Sequence, residues 1–511
     1  MLRHRGPNGS RSRLMEVGGC HVGLLHERLA IIDLTEGGAQ PRQSASGRHW
    51  ICYNGEIYNY VEIRSELKSL GWEFTSTSDT EVLLAALETW GEAAISRFNG
   101  MWAFAWLDIP NRRLVLSRDR MGVKPLYFRA SPTGFAFASE IKALLEMVQE
   151  PTELNLRVIG AYVQQSLLDV SSDTFFDGVA KLEAGTYAII DLTADRLVPK
   201  TQRFWSPTVS ESGMSVKDAA ESVRELLIDS VRIRLRSDVP VGVLLSGGVD
   251  SSAIAGCMHS LLGPAADLNL LSAVSDGSRF DESPFIDAVA AYLQRSTRKV
   301  VIDSEPSSVL PLLEEVCWYN DEPVGSFGNV AQFLLMKRAK ELGIAVILSG
   351  QGADEIFCGY KKFVGFYLMD LVRQGRVLEA IRVGWTFLRS GALTDQVTMR
   401  EAKRYLPAGL RAPQPSVLGP ALVGYAPEFM GLRSGDGFKD RQIADITRFS
   451  IPILTHYEDR MSMAWGREIR NPYLDYRLVE AALALPASTN LAGGWTKRIL
   501  REAIRDWYRR K

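Results

Sequence analysis

From Val241 to Leu261 the chain reads VGVLLSGGVDSSAIAGCMHSL. Its first five residues are apolar apart from one glycine and predict a buried parallel strand. Ser246-Gly247-Gly248-Val249-Asp250-Ser251-Ser252 follows, and then an apolar stretch long enough for a helix. A strand that breaks into a Gly-rich turn and re-emerges as a helix aims free backbone N–H groups and the positive end of the helix dipole at one point. Such a point binds phosphate. Gly247 and Gly248 let the backbone approach closely, and the hydroxyls of Ser246 and Ser251 add donors. Asp250, a carboxylate beside a phosphate, makes sense chiefly as a Mg²⁺ ligand. No G-K-[ST] follows the glycines, so this is not the lysine-containing nucleotide loop. The plainer reading is a tight turn in an ordinary doubly wound sheet.

The elements that must carry this turn follow from length and pattern. A chain of 511 residues is too long for one core and implies two or three domains. Its 59 basic and 60 acidic residues nearly cancel, with no long run of either sign, which argues against nucleic acid or a membrane surface as partner. No apolar run reaches transmembrane length, and the start is polar and basic, unlike a signal peptide. Cys20, Cys52, Cys257, Cys317 and Cys358 lack metal spacing and fit reduced thiols, so a cytoplasmic location is expected.

Up to about residue 203 the chain reads as short strands (23–34, 49–59, 101–119, 134–140) and two helices (60–71 and 79–91). That predicts an α+β domain, a two-sheet α/β/β/α sandwich. A boundary is placed near Arg203, giving domains 1–203 and 204–511. Beyond a helix at 218–238, strands at 241–245, 268–275, 298–303 and 344–350 alternate with helices at 282–294, 307–319 and 329–343. This is the α/β pattern of a doubly wound parallel sheet with added helices. Ligands in such sheets sit beyond the carboxyl ends of the strands, and three of those ends are polar: SGGVDS, SDGSRFDE and SGQGADE. Between Tyr360 and about Ile451 only helices and a Pro/Gly-containing loop at 407–437 are recognised.

SGGVDS resembles the pyrophosphate loop of ATP pyrophosphatases, which cleave ATP between the α and β phosphates. In the N-terminal part HRGPNG (4–9), HERLAIIDL (26–34), YNGEIYN (53–59), SDTEV (78–82), FNGMWAFAWLD (98–108), SRDRMGVKPLY (117–127) and ASEIKAL (138–144) resemble the glutaminase domain of asparagine synthetases and related class II amidotransferases. The resemblance implies a glutamine site. Arg28, with its planar fork, matches the binder of the α-carboxylate. Asp79 and Glu56 match the binder of the α-ammonium. The Asn54 amide and Gly55 N–H match the oxyanion hole. Read singly, Arg28 and Asp79 are equally surface charges and Asn54-Gly55 a hairpin turn.

The family's nucleophile is a cysteine at the mature N-terminus, with its own α-amine as base. This chain starts MLRHRGP, and Cys20 and Cys52 are internal. A truncated or mis-started sequence is the expectation, with a true loss of glutaminase as the alternative. It stops at RRK, short of where family members run on, so clipping at both ends is expected.

The C-terminal part resembles the family's synthetase domain. There Leu244, Val274, Ser349 and Gly350 would hold the adenosine, and Asp354 would share Mg²⁺ with Asp250. Lys497, in GWTKRILREA (494–503), matches a lysine that neutralises departing pyrophosphate. Gln351 stands where the family usually has Glu, can occupy the same space, and is expected at a catalytic position with Asp250 and Lys497. YEDRMSMAWGREIRNPYLDYRLVE (457–480) resembles the family's helical segment behind the site, and its Glu468, Arg470 and Asp475 read as a salt-bridged scaffold.

The function so implied is ATP-dependent synthesis of asparagine from aspartate through an acyl-adenylate, with glutamine or ammonia as nitrogen donor. The alternatives are a related amidotransferase or lactam-forming enzyme acting on another carboxylate and, more distantly, a non-catalytic sensor. ATP and Mg²⁺ are the expected cosubstrate and metal. The other partners are small molecules, with a second copy of the chain, as a homodimer, an option.

Overall fold

The computed structural model describes residues 1–132, 134–148, 151–210, 213–263, 266–274, 281–302, 306–390, 419, 422 and 437–507. Most of SDGSRFDE, almost all of the 407–437 loop and the terminal RRK lie outside them.

The N-terminal part is built on strands β1 (Gly9–Val17), β2 (Cys20–Arg28), β3 (Arg42–Gln43), β4 (His49–Ile57), β5 (Gly100–Asp108), β6 (Arg113–Arg118), β7 (Tyr127–Ser131), β8 (Gly134–Ala138), β9 (Ala180–Lys181), β10 (Thr186–Asp191) and β11 (Lys200–Arg203). Six of them form the central antiparallel sheet, in the order β11-β10-β6-β5-β4-β3. Side chains alternate across β5, as the two-residue strand period requires. Trp102, Phe104 and Trp106 point to one core, shared with Leu83, Leu84 and Leu87 of the helix Asp79–Trp90. Ala103, Ala105 and Leu107 point to the other, shared with Leu24 of β2 and Leu126. The sheet facing the central one comes in two pieces, the hairpin β1-β2 and the ribbon β8-β7-β9.

The C-terminal part holds β12 (Val241–Leu244), β13 (Asn269–Val274), β14 (Thr297–Val301), β15 (Val346–Leu348) and β16 (Glu468–Arg470). They form one sheet in the order β14-β13-β12-β15-β16, every pair parallel. Both faces are buried. Val243, Leu270, Val346 and Leu348 pack with Ala253–Cys257 of the helix Val249–Leu262. Leu271, Ile347 and Ile469 pack with Leu335, Met336 and Ala339 of the helix Gly328–Glu341.

Several elements differ from the sequence reading: the expected strand 23–34 stops at Arg28, and 101–119 is two strands, β5 and β6, joined by a turn. The stretch 457–480 is not helical throughout: the helix Ile451–Met463 ends, β16 joins the edge of the sheet, and the helix Tyr476–Ala484 begins afterwards. Glu468 and Arg470 flank a single apolar residue and do not look like a buried strand. They are buried because the Arg470 Nε donates to Glu468 Oε1 at 2.9 Å and its Nη1 donates to the carbonyls of Arg234 and Arg236, both at 2.7 Å. A buried charge is tolerated when it is paired and hydrogen-bonded, and the Arg470 Nη2 also lies 3.5 Å from Glu56 Oε1. Asp475 is held likewise, by Arg234, Arg477 and Asn99.

Charges also join the two parts. Arg5 and Lys124 reach Asp459, and Arg460 reaches Glu140. Among the described residues no helix is long and apolar enough to cross a membrane.

Candidate functional site

Two sites are assembled, one in each part. In the N-terminal part a cavity of about 510 Å³ is lined by all five residues of the expected glutamine site, Arg28, Asn54, Gly55, Glu56 and Asp79. Asn54 and Gly55 are not a turn. They lie inside β4, opposite Ala103 and Trp102 of β5. Among the described residues the buried Asn54 Nδ2 donor has no hydrogen-bond partner, so an oxyanion at that point would satisfy it. Arg28 ends β2 and is held by the Thr35 carbonyl at 2.7 Å and by the Asp33 carbonyl.

The two carboxyls differ. Asp79 opens its helix, where Oδ2 accepts from the Tyr53 hydroxyl at 2.9 Å and the Ile57 N–H at 3.1 Å. Burial pushes it up to about 6, with those hydrogen bonds opposing. Glu56 is held well above the usual range by burial and then by the charge of Asp79. Both carboxyls are shifted upward, and Asp79, with two hydrogen-bond donors stabilising its charged form, is the better placed of the two to meet an ammonium group. His26 also lines the cavity, and the sequence reading passed over it. It stands two residues before Arg28 on β2, hence on the same strand face. Its Nε2 lies 3.1 Å from the Tyr53 carbonyl, and burial lowers its pKa to about 4.

The second site lies at the carboxyl edge of the parallel sheet. Leu244 and Val274 end β12 and β13, and Ser349 and Gly350 follow β15. These three strands are neighbours, so the expected adenosine residues come together on one edge. The helix Val249–Leu262 starts there with Gly248 as its N-cap, and its N-terminus carries Asp250. Gly247 has φ +75°, and a Cβ there would come within 2.6 Å of Phe285 Cβ, so only glycine suits the turn. The Ser246 and Ser251 hydroxyls lie 3.0 Å apart and tie the loop to the first helical turn. The Tyr473 hydroxyl donates to the Asp250 carbonyl at 3.0 Å.

Asp250, Asp354 and Lys497 meet. The Lys497 Nζ is 2.5 Å from Asp250 Oδ2 and 2.6 Å from Asp354 Oδ1. Lys497 has φ +52°, a left-handed conformation unusual for a side-chain-bearing residue, just before the helix Arg498–Ala503. Burial pushes the Asp250 carboxyl up to about 6, the Lys497 ammonium opposing it and Asp354 adding to it. Lys497 is shifted upward, because the two carboxylates outweigh its burial. Asp250 Oδ1 is buried with no hydrogen-bond partner among the described residues. Two carboxylates around one cation, with a carboxylate oxygen to spare, fit a hard divalent ion such as Mg²⁺. Gln351 follows on the Ser349 loop, its N–H donating to Ser349 Oγ at 3.3 Å. Among the described residues its side chain makes no hydrogen bond to the trio.

Comparison with known proteins matches both parts. Residues 222–510 match the family model "Asparagine synthase", and residues 1–205 match "Glutamine amidotransferase domain". Asparagine synthetase [glutamine-hydrolyzing] 1 of Bacillus subtilis is 31% identical over 522 residues, covering 98% of this chain and 79% of that protein. Asparagine synthetase [glutamine-hydrolyzing] 3 of the same organism is 30% identical over 524 residues, with 98% and 80% covered. A protein named amidase chry2, from Gibberella zeae, is 32% identical over 380 residues, which is 71% of this chain and 54% of that one. Both family models span these two sites, and this chain belongs to the asparagine synthase family.

Proposed function

We propose that the protein is an ATP-dependent amide-forming ligase, divided near Arg203 into a glutamine-binding half and an adenylating half. The substrate carboxylate attacks the α-phosphorus of ATP, forming an acyl-adenylate and releasing pyrophosphate. Ammonia then displaces AMP to leave an amide. The observation that carries this reading is the grip of Lys497 on Asp250 and Asp354 at the mouth of the phosphate loop.

Each residue has a role in the first step. The loop N–H groups after β12 and the Ser246 and Ser251 hydroxyls orient the phosphates. Lys497 neutralises charge that builds on the departing pyrophosphate. Asp250 and Asp354 would hold a Mg²⁺ ion, which supplies charge neutralisation on the phosphates. Leu244, Val274, Ser349 and Gly350 would seat the adenosine. In the other half Arg28 would take the glutamine α-carboxylate, Asp79 the α-ammonium, and Asn54 with Gly55 the oxyanion. Met463 and Glu468 of the C-terminal part also line that cavity, which supports delivery of ammonia toward the second site.

Neither thiol of the N-terminal part, Cys20 or Cys52, suits glutamine hydrolysis. Cys52 lines the cavity, but its thiol donates to the Leu25 carbonyl and burial pushes it up to about 12. Cys20 donates to the Leu192 carbonyl. The 511-residue chain is therefore expected to form amide from ammonium salts, better at high pH where more NH₃ is present, and to release no glutamate from glutamine. Glutamate release above a buffer blank would contradict this.

Aspartate is the first substrate to test. Gln351 favours a second reading, in which another carboxylic acid is preferred. It is nearly the size of Glu but carries no charge and accepts no proton near neutral pH. A neutral group also repels a second substrate carboxylate less. Pyrophosphate release with ATP, Mg²⁺ and a panel of acids separates the readings. Release with aspartate marks a true synthetase, release only with another acid marks the variant, and none marks a sensor. Under the second reading Gln351→Glu narrows the gap between the best acid and aspartate, and an unchanged ranking with aspartate first rejects it.

A further inference from the structure

Glu458 lies on the helix Ile451–Met463 and is only 3% exposed, yet no ammonium or guanidinium is paired with it among the described residues. Its neighbour Asp459 shows the contrast. Arg5 and Lys124 pair with Asp459, and despite burial these cations hold it below the usual carboxylate range. Glu458 instead receives neutral donors. Ser349 Oγ donates to Oε1 at 2.6 Å and Asn471 Nδ2 donates to Oε2 at 2.5 Å. The same Ser349 Oγ accepts the Gln351 N–H at 3.3 Å, while the Ser349 N–H donates to the Arg470 carbonyl at 2.9 Å. The chain Asn471–Glu458–Ser349–Gln351 therefore runs from the end of β16 into the loop after β15.

We propose that Glu458 is a positioning residue of this loop: its carboxylate fixes which way the Ser349 hydroxyl points, and so ties nucleoside binding to one buried proton. The inference rests on the proposed role of Ser349 and Gly350 in seating adenosine. An ionised Glu458 has no proton to give, so Ser349 must donate, and its lone pairs turn to the Gln351 N–H. Once Glu458 is protonated the polarity reverses. Asn471 already donates to Oε2, so the proton sits on Oε1 and points at Ser349 Oγ. The hydroxyl hydrogen must then turn elsewhere, and the loop loses the arrangement seen here. Four groups face the carboxyl: Ser349 after β15, Asn471 after β16, Gln332 on the helix Gly328–Glu341, and Glu355 on the helix Ala353–Ile356. Burial comes first in raising Glu458 to about 7, the neutral side chains of Ser349, Asn471 and Gln332 oppose it, and the like charge of Glu355 adds to it. Ionisation therefore falls within the working range, and the ordered loop belongs to its alkaline side.

Adenosine is the probe, because it has no phosphate near Asp250 or Lys497 and no group titrating between about pH 6 and 8.5. Its affinity, measured by calorimetry on the whole chain, is expected to rise about 3- to 10-fold from pH 6 to 8, the worth of one hydrogen bond. In Glu458→Gln the side-chain oxygen is held by Asn471, so its NH₂ donates to Ser349 and mimics the protonated form. That variant should bind at the weaker, acid-side level across the range. Ser349→Ala, which keeps the buried carboxyl, should likewise lose the pH dependence. Either variant retaining the wild-type profile, or a flat wild-type profile, overturns the proposal. If the wild type binds neither adenosine nor ATP, the nucleotide site itself is wrong and this inference falls with it. ATP binding with a flat adenosine profile rejects the Glu458 role alone.

Discussion

Asp250→Asn and Asp354→Asn are each expected to lower pyrophosphate formation at least ~100-fold, the scale of losing one electrostatic stabiliser of a transition state. Asn is nearly the same size as Asp and keeps one carbonyl oxygen, so the trio still packs. What changes is charge. The pair of carboxylates that meets at the Lys497 ammonium is reduced to one, leaving a divalent cation half of its protein charge. The effect belongs to catalysis and not to folding, so the urea midpoint of both variants should stay near the wild-type value while turnover collapses. Gly359→Ala tests the same geometry from another side. A Cβ at Gly359 would lie 1.8 Å from Asp354 Oδ1 and 2.1 Å from Lys497 Cε, so the pair must move apart. A comparable loss of pyrophosphate release is expected. Wild-type turnover in either Asn variant would remove these carboxylates from the chemistry.

Arg460→Met is expected to have the largest effect on stability, about 3 kcal/mol or more, the typical cost of removing one partner from a buried ion pair. Arg460 is fully buried, its Nη1 3.1 Å from Glu140 Oε1 and its Nη2 3.0 Å from Asp321 Oδ2. It also lies over the Tyr127 ring, 5.3 Å from the centroid. These contacts are close but lack hydrogen-bond alignment, so the coupling is chiefly electrostatic. Met fills much of the volume and leaves Glu140 to Arg5, Lys142 and His4. The loss should depend on pH in a definite direction. Burial pushes Glu140 up, but Arg460 and the other cations hold it well below the usual carboxylate range in the folded chain. A depressed carboxylate contributes stability above its unfolded pKa and loses it as pH falls through the folded value. The difference between wild type and variant should thus be full at neutral pH and shrink in acid below about 4. Urea unfolding at pH 7 and again in acid measures it, and a variant as stable as wild type at pH 7 would show that Arg460 does not hold the two parts together.

Much of this was legible in the chain itself. SGGVDSS between an apolar run and a helix encodes its own geometry, because turn, glycine φ and helix N-terminus are all set within a dozen residues. The polar ends after β12 and β15 likewise point to a site beyond a parallel sheet, since strand order and carboxyl edge follow from βαβ connectivity. The seven N-terminal motifs identify the five residues that line one cavity.

Other features exist only once the chain is folded. Lys497 and Asp250 are 247 positions apart, and nothing in either segment announces that one ammonium will bridge two carboxylates. The protonation states of Glu56 and Asp79 depend on burial and on each other, which no local pattern encodes. β16 was missed because Glu-Ile-Arg has neither the length nor the apolar pattern of a strand. Its charges are affordable there only because distant carbonyls and carboxylates receive them. Glu458 and Asp459 make the point most plainly. They are adjacent acids on one helix, yet cations hold Asp459 below the usual carboxylate range, while Glu458, facing neutral donors, is pushed up by burial to about 7. Sequence determines which groups are available, and long-range packing determines the dielectric and the partners that each one meets.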